Sequence, residues 1–124
     1  MERKIRVTCV DDDHATRTLY AMIVRAEPDM ECVATLASAA ELLEHVAEER
    51  PDVVLLDLRM PGPEPLDVLR SSARTHPATR IVVFSGLDDP DVVAEATASG
   101  AAAFLSKDAP PETILQTIRR LGRP

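Results

Sequence analysis

Short apolar runs alternate along the chain with stretches whose apolar residues recur at helical spacing. Ile5 to Val10 reads as a strand. From Ala15 onward, Leu19, Met22, Ile23 and Ala26 share a helical face that ends ahead of Glu27-Pro28, because proline disfavours helix in the residue before it. Met30 to Leu36 predicts a second strand, Ser38 to Glu49 a helix with Leu42, Leu43 and Val46 inward, and Asp52 to Leu56 a third strand. Beyond the turn-rich MPGPEP, Leu66 to Thr75 predicts a helix with Leu66, Leu69 and Ala73 on one face, and Arg80 to Phe84 a buried strand. Asp91 to Ser99 reads as a helix stopped by Gly100, and Ala102 to Leu105 as a last strand. Glu112 to Leu121 is a last helix behind Pro110-Pro111, near the first turn where proline is tolerated.

Strands that alternate with helices in this way pair in parallel, since a parallel neighbour needs a crossover and the crossover is normally a right-handed helix. The fold class predicted is doubly wound α/β. At 124 residues the chain has room for one domain with a real core and not for two. It is 45% hydrophobic but only 2% aromatic, without tryptophan, so the core has to be built from Val, Leu, Ile and Ala. Neither an internal repeat nor a low-complexity tract is present; residues 1–121 read as the domain and 122–124 as the start of a linker.

A net charge of -7 argues against a broad basic face gripping nucleic acid or an anionic membrane, and favours cations or basic partner surfaces. Cys9 and Cys32 lie far apart in sequence, inside apolar runs and without CxxC or CxxH spacing, which makes them free thiols of a reducing cytoplasm. MERKIRVTCV turns acidic before any apolar stretch long enough for a leader, and nothing approaches a membrane span, so a cytosolic location is expected.

In an open parallel sheet, ligands bind at the carboxyl ends of the strands, near the point where strand order reverses. Those ends carry Asp11, Asp12 and Asp13 after the first strand, Asp57 after the third, Ser85-Gly86 after the fourth, and Ser106 with Lys107 after the fifth. The apolar run DVVLLD fixes its strand in the core, and the fixed strand aims Asp57 at that edge. Carboxylates about 5 Å apart repel by about 3 kcal/mol per pair at an effective dielectric of about 20, so positive charge has to offset them. Lys107 supplies one charge, and a hard divalent cation such as Mg2+, which prefers oxygen ligands, supplies another; zinc is disfavoured without His or Cys at ligand spacing. Carboxylate, metal, hydroxyl and ammonium together make a site for a phosphoryl group, with the carboxylate as nucleophile. One of Asp11 to Asp13 is also expected to cap the following helix, which leaves the metal pair open by one position. His14, His45 and His76 read as solvated surface or helix-end residues.

Taken in order, the acid pair, DVVLLDLRMPG, IVVFSG and GAAAFLSKD resemble the receiver domain of two-component response regulators over essentially the whole chain. The resemblance implies the chemotaxis-type, flavodoxin-like fold: a (βα)5 three-layer sandwich on a parallel sheet of strand order 2-1-3-4-5. It makes Asp57 the phospho-acceptor, Asp12 a direct Mg2+ ligand, Asp11 a ligand acting through water, and the Arg59 backbone carbonyl a further ligand. Asp11 and Asp12 are preferred as the metal pair because the family's pair follows directly on the strand. Ser85 takes the switch-hydroxyl position, Lys107 that of the phosphate-binding ammonium, and Phe104, three residues before the lysine, the aromatic switch position. The implied partners are a sensor histidine kinase and, on activation, a second copy of the chain; no membrane is expected. Such a domain assists its own phosphorylation and dephosphorylation without being an enzyme in the ordinary sense. Asp108 after the lysine, and SKDAPPETILQTIRRL as a whole, look like the end of receivers in NarL/FixJ (LuxR-type) transcription factors. Those proteins carry a C-terminal helix-turn-helix, so the resemblance implies a receiver belonging to a longer regulator that meets DNA through that second domain, with a stand-alone receiver as the alternative.

The sequence departs from the family pattern after the phospho-acceptor, where PGPEP stands in place of a stretch like PGMDG, with Pro65 replacing the glycine. Proline fixes φ, so this loop is expected to run differently and to change partner docking. That departure keeps open a phosphorylation-independent receiver that binds a ligand or protein. Arg59 and Leu87 occupy positions where the family tunes access of hydrolytic water, and the bulky pair is expected to slow loss of phosphate. Haloacid-dehalogenase-like phosphatases also phosphorylate a strand-end aspartate beside Mg2+, but they resemble D-x-D there, whereas Asp57 is followed by Leu58 and Arg59 and the general acid is missing. A dinucleotide-binding domain is excluded, because the first strand leads to DDDH and not to a glycine-rich turn.

Overall fold

The computed structural model describes residues 3–59, 64–86 and 90–123. Five strands alternate with five helices: β1 (Ile5–Val10), α1 (His14–Arg25), β2 (Met30–Leu36), α2 (Leu42–Glu49), β3 (Val53–Asp57), α3 (Pro65–Thr75), β4 (Arg80–Ser85), α4 (Pro90–Ala98), β5 (Ala103–Ser106) and α5 (Pro111–Gly122). All pairings are parallel and the sheet order is β2-β1-β3-β4-β5. The order reverses between β1 and β3, which is where an open α/β sheet forms its ligand crevice.

Both faces of the sheet are covered, and the apolar positions divide between them. Val7, Cys9, Val53, Leu55, Val82 and Phe84 pack with Tyr20 and Val24 of α1 and with Ile114 and Ile118 of α5. Val10, Val54, Leu56, Ile81 and Val83 pack with Leu42 and Val46 of α2, Leu69 of α3 and Ala96 of α4. Burying each such Val, Leu or Ile contributes roughly 1.5–3 kcal/mol, and the alternation of neighbours between the two faces explains why β3 is apolar without interruption. In β3 all five residues are buried, Asp57 included.

Several details differ from the sequence reading. The chain enters α2 through a separate 3-10 turn, Ala39–Glu41, behind an extended Ser38 that makes no side-chain cap. The third strand starts one residue late, as the Asp52 carboxylate accepts the Arg6 N–H at 2.8 Å. Pro65 is the first residue of α3, where its missing N–H is one the helix leaves unpaired in any case; the PGP stretch before it, on which the expectation of a different loop falls, lies outside the described residues. Cys9 and Cys32, distant in sequence, are neighbours on adjacent strands; both are free, and a hydrogen bond to Cys32 together with burial pushes the Cys9 thiol up. The His45 imidazole is half-buried, its Nε2 lying 2.7 Å from the hydroxyl of buried Thr8, so it is not a solvated residue. Arg119 of α5 bonds Glu27 and Asp29 at 2.6 and 2.8 Å, pinning that helix to the turn before β2. Among the described residues, no helix is long and apolar enough to cross a membrane.

Candidate functional site

The carboxyl ends of β1, β3, β4 and β5 share one edge, set by the register Val10 with Leu56, Asp57 with Phe84, and Ser85 with Ser106. Asp11 follows β1 directly, its N–H donating to the Leu36 carbonyl at 3.0 Å, and the residue is only 2% exposed. Asp13 is the residue that caps α1: its carboxylate accepts from the Thr16 N–H at 2.9 Å and the Thr16 hydroxyl at 2.5 Å. Those bonds hold Asp13 below the usual carboxylate range and engage it with the helix. Asp11 and Asp12 remain as the pair beside Asp57, and one oxygen from each of the three carboxylates lies within 4.8 Å of the others.

Lys107 enters this cluster from the turn after β5. Its N–H donates to the Ser85 carbonyl at 3.0 Å, which locks the turn onto β4, and its Nζ lies 3.1 Å from Asp11 Oδ2 and 3.3 Å from Asp57 Oδ2. The Arg59 N–H donates to Asp57 Oδ1 at 3.1 Å. Burial pushes the Asp57 carboxyl up and the Asp11 charge adds to this, while the Arg59 N–H and Lys107 act the other way without cancelling it. Burial acts against the Lys107 ammonium too, but Asp11 and Asp57 outweigh it and the amine is raised, so it stays charged. Three carboxylates against one ammonium leave excess negative charge on an all-oxygen donor set. That is the chemistry a hard divalent cation such as Mg2+ fits, and Asp11, Asp12 and Asp57 are the residues that would hold it.

Ser85 ends β4 and is 1% exposed. Phe104 lies on β5 opposite Val83, half-buried against the core on the α2–α4 side. Leu87 and Pro61 to Pro63 lie outside the described residues. Two neighbours of the site were missed in the sequence reading. Tyr20 of α1 packs its ring on Phe84 beneath the site, centroids 5.0 Å apart. Arg17 of α1 reaches back so that its Nη1 donates to the Asp11 carbonyl at 2.7 Å. Its position one helical turn after the capping Asp13 was the available clue, since only a long side chain there reaches back over the turn.

The sequence profile of the response regulator receiver domain matches residues 7–119. The oxygen regulatory protein NreC of Staphylococcus epidermidis is 34% identical over 116 residues, covering 93% of this chain and 53% of that protein. NreC of Staphylococcus aureus is 35% identical over 116 residues, again 93% of this chain and 54% of the relative. The chain thus spans about half the length of these relatives. Among solved structures, the response regulator domain of Thermotoga maritima CheB superposes with TM-score 0.88 at 28% identity, covering 96% of each chain. The signal receiver domain of NarL from Mycobacterium tuberculosis superposes with TM-score 0.87 at 30% identity, covering 98% of this chain and 100% of that one. With five parallel strands in the order 2-1-3-4-5 and a cluster of carboxylates at the β1/β3 switch point, the chain belongs to the response regulator receiver domains, and its relatives place it with the NarL/FixJ kind.

Proposed function

We propose that this domain takes a phosphoryl group from a sensor histidine kinase onto Asp57, with Mg2+ held by Asp11, Asp12, Asp57 and the Arg59 carbonyl. The observation that carries the proposal is the meeting of three carboxylates within 4.8 Å, with Lys107 Nζ at 3.1 and 3.3 Å from two of them. An Asp57 oxygen attacks phosphorus, the bond from phosphorus to the donor atom breaks with its electron pair staying on the donor, and the carboxylate becomes an acyl phosphate. Bound Mg2+ would supply positive charge to the phosphoryl oxygens. Lys107 supplies a second positive group, already paired with the acceptor carboxylate, and the buried setting of Asp57 strengthens both interactions.

The phosphoryl oxygens then recruit the Ser85 hydroxyl, and Phe104 follows into the space vacated, reshaping the surface formed by α4, β5 and α5. This is a shift between two conformations, biased only by contacts that differ between them. The output is transcriptional and passes through dimerisation and a LuxR-type helix-turn-helix in a longer protein of the cytoplasm. That this domain belongs to a longer protein is supported by relatives about twice as long as this chain.

The test is incubation with acetyl phosphate, or with beryllofluoride, in Mg2+, following intact mass and amide NMR shifts in the wild type and in Asp57→Ala. The wild type is expected to gain one phosphoryl group, or to respond to beryllofluoride at Ser85, Phe104 and Lys107, and the variant to do neither. A wild type that stays unmodified with its spectrum unchanged refutes phosphotransfer and leaves a phosphorylation-independent binding module.

A further inference from the structure

Asp11 is held through each of its polar groups. Its N–H donates to Leu36, Oδ1 accepts the Asp13 N–H at 2.9 Å, and Oδ2 takes the Lys107 ammonium at 3.1 Å. The remaining group, its backbone carbonyl, receives Arg17 Nη1 at 2.7 Å, while Arg17 Nη2 lies 3.2 Å from His14 Nδ1. The guanidinium therefore spans from α1 back to the end of β1. That carbonyl belongs to the peptide joining Asp11 to Asp12, so fixing it fixes the plane from which Asp12 departs. The Asp12 carboxylate is exposed and depends for its direction on the backbone that carries it.

We infer that Arg17 is a positioning residue of the acidic site, holding the Asp11–Asp12 peptide so that both carboxylates face Asp57. This rests on the magnesium reading proposed above and adds to it a residue that touches neither metal nor phosphoryl group. A rival account, in which Arg17 is merely a nearby positive charge, predicts the opposite sign. Removing a cation beside a cation site should tighten metal binding by Coulomb's law, whereas releasing the peptide should weaken it.

Magnesium affinity measured by calorimetry on this chain separates the two. Arg17→Ala is expected to bind Mg2+ roughly tenfold more weakly, the scale typical of groups that orient metal ligands. Arg17→Lys, which keeps the charge and one donor, is expected to lose only about threefold, since a single charge-assisted bond replaces the fork. In metal-free protein the Asp12 amide resonance should move in Arg17→Ala while the thermal midpoint stays close to that of the wild type. Equal or tighter Mg2+ binding by Arg17→Ala, with the wild type binding normally, overturns the assignment alone. Absence of Mg2+ binding by the wild type overturns the magnesium reading and this assignment together. If Arg17→Ala gives no cooperative melting, Arg17→Lys decides, and unchanged or tighter binding by that variant overturns the assignment.

Discussion

Thr8 shows how a single polar atom can commit a distant residue. It lies fully buried on β1, and its hydroxyl meets Nε2 of His45 on α2 at 2.7 Å. Burial pulls the imidazole below its ordinary range, with Arg6 acting the same way and Glu49 and Glu48 against it. An unfolded histidine titrates near about 6.5, and this one protonates at lower pH in the folded state. Between those two values the unfolded chain binds more protons, so the contribution of His45 to stability rises with pH and is lost as pH falls below about 6.5. The drop in melting temperature from about pH 7.5 to about 5.5 should therefore be smaller in His45→Gln than in the wild type. Equal drops in the two proteins would show that the imidazole is not the group responsible. The sequence could not reveal this pair, because its members stand 37 residues apart and nothing in the spacing of α2 says that His45 turns toward β1. Cys9 and Cys32 were hidden in the same way, since strand adjacency leaves no trace in spacing. The DDD run was legible as chemistry, but which of its members capped α1 depended on where the helix began, and that only the Thr16 contacts decide.

Strand and helix identities were legible because the two hydrophobic periods differ, and β3 was the clearest since both its faces are covered, but in α1 the apolar spacing picked the wrong face: Leu19 and Met22 are exposed, while Tyr20, Ala21 and Val24 are buried. Boundaries were less so. β4 and β5 each run one residue further than the apolar pattern, because Ser85 and Ser106 still pair across the ladder although neither is hydrophobic. Gly100 was recognised as a stop, and the structure shows how it acts. It takes φ +109°, its N–H donates to the Thr97 carbonyl at 3.1 Å, and the Ala101 N–H donates to the Ala96 carbonyl at 3.0 Å, which is the bonding of a Schellman cap. A Cβ at this position would also come within 2.6 Å of the Ala73 Cβ on α3. Gly100→Ala should therefore lose roughly 2 kcal/mol or more in urea denaturation, part from the positive φ and part from the clash. Adding Ala73→Gly should restore only the clash component. A loss below about 0.5 kcal/mol, the ordinary range of surface substitutions, would mean both that α3 gives way at this end and that the turn relaxes out of its positive φ.

At the scale of the whole molecule, the site and the fold make opposing demands. That the acids would meet was legible, since parallel strands deliver their ends to one edge, but the cost of the meeting appears only with burial. Asp57 is 2% exposed, and its carboxyl is pushed up chiefly by that burial and further by the Asp11 charge. An acid that is harder to ionise in the folded state than in the unfolded chain destabilises the fold wherever it is ionised, so at neutral pH and without metal Asp57 works against stability. Asp57→Asn removes the charge while its side-chain oxygen can still accept the Arg59 N–H. In chelator the variant should melt above the wild type by roughly 4 °C, corresponding to about 1 kcal/mol in a domain of this size. The gap should close as pH falls through the raised range of Asp57, where the wild-type carboxyl takes up its proton in the folded state first. Excess Mg2+ should reverse the ranking. On the magnesium reading proposed above, the wild type gains stability by mass action, while the variant, with one carboxylate fewer, gains less. Melting curves of the two proteins in chelator and in magnesium check this directly. A wild type that melts at or above Asp57→Asn in chelator would show that Lys107 already offsets the buried charge, and that no stability is given up to keep the acids together.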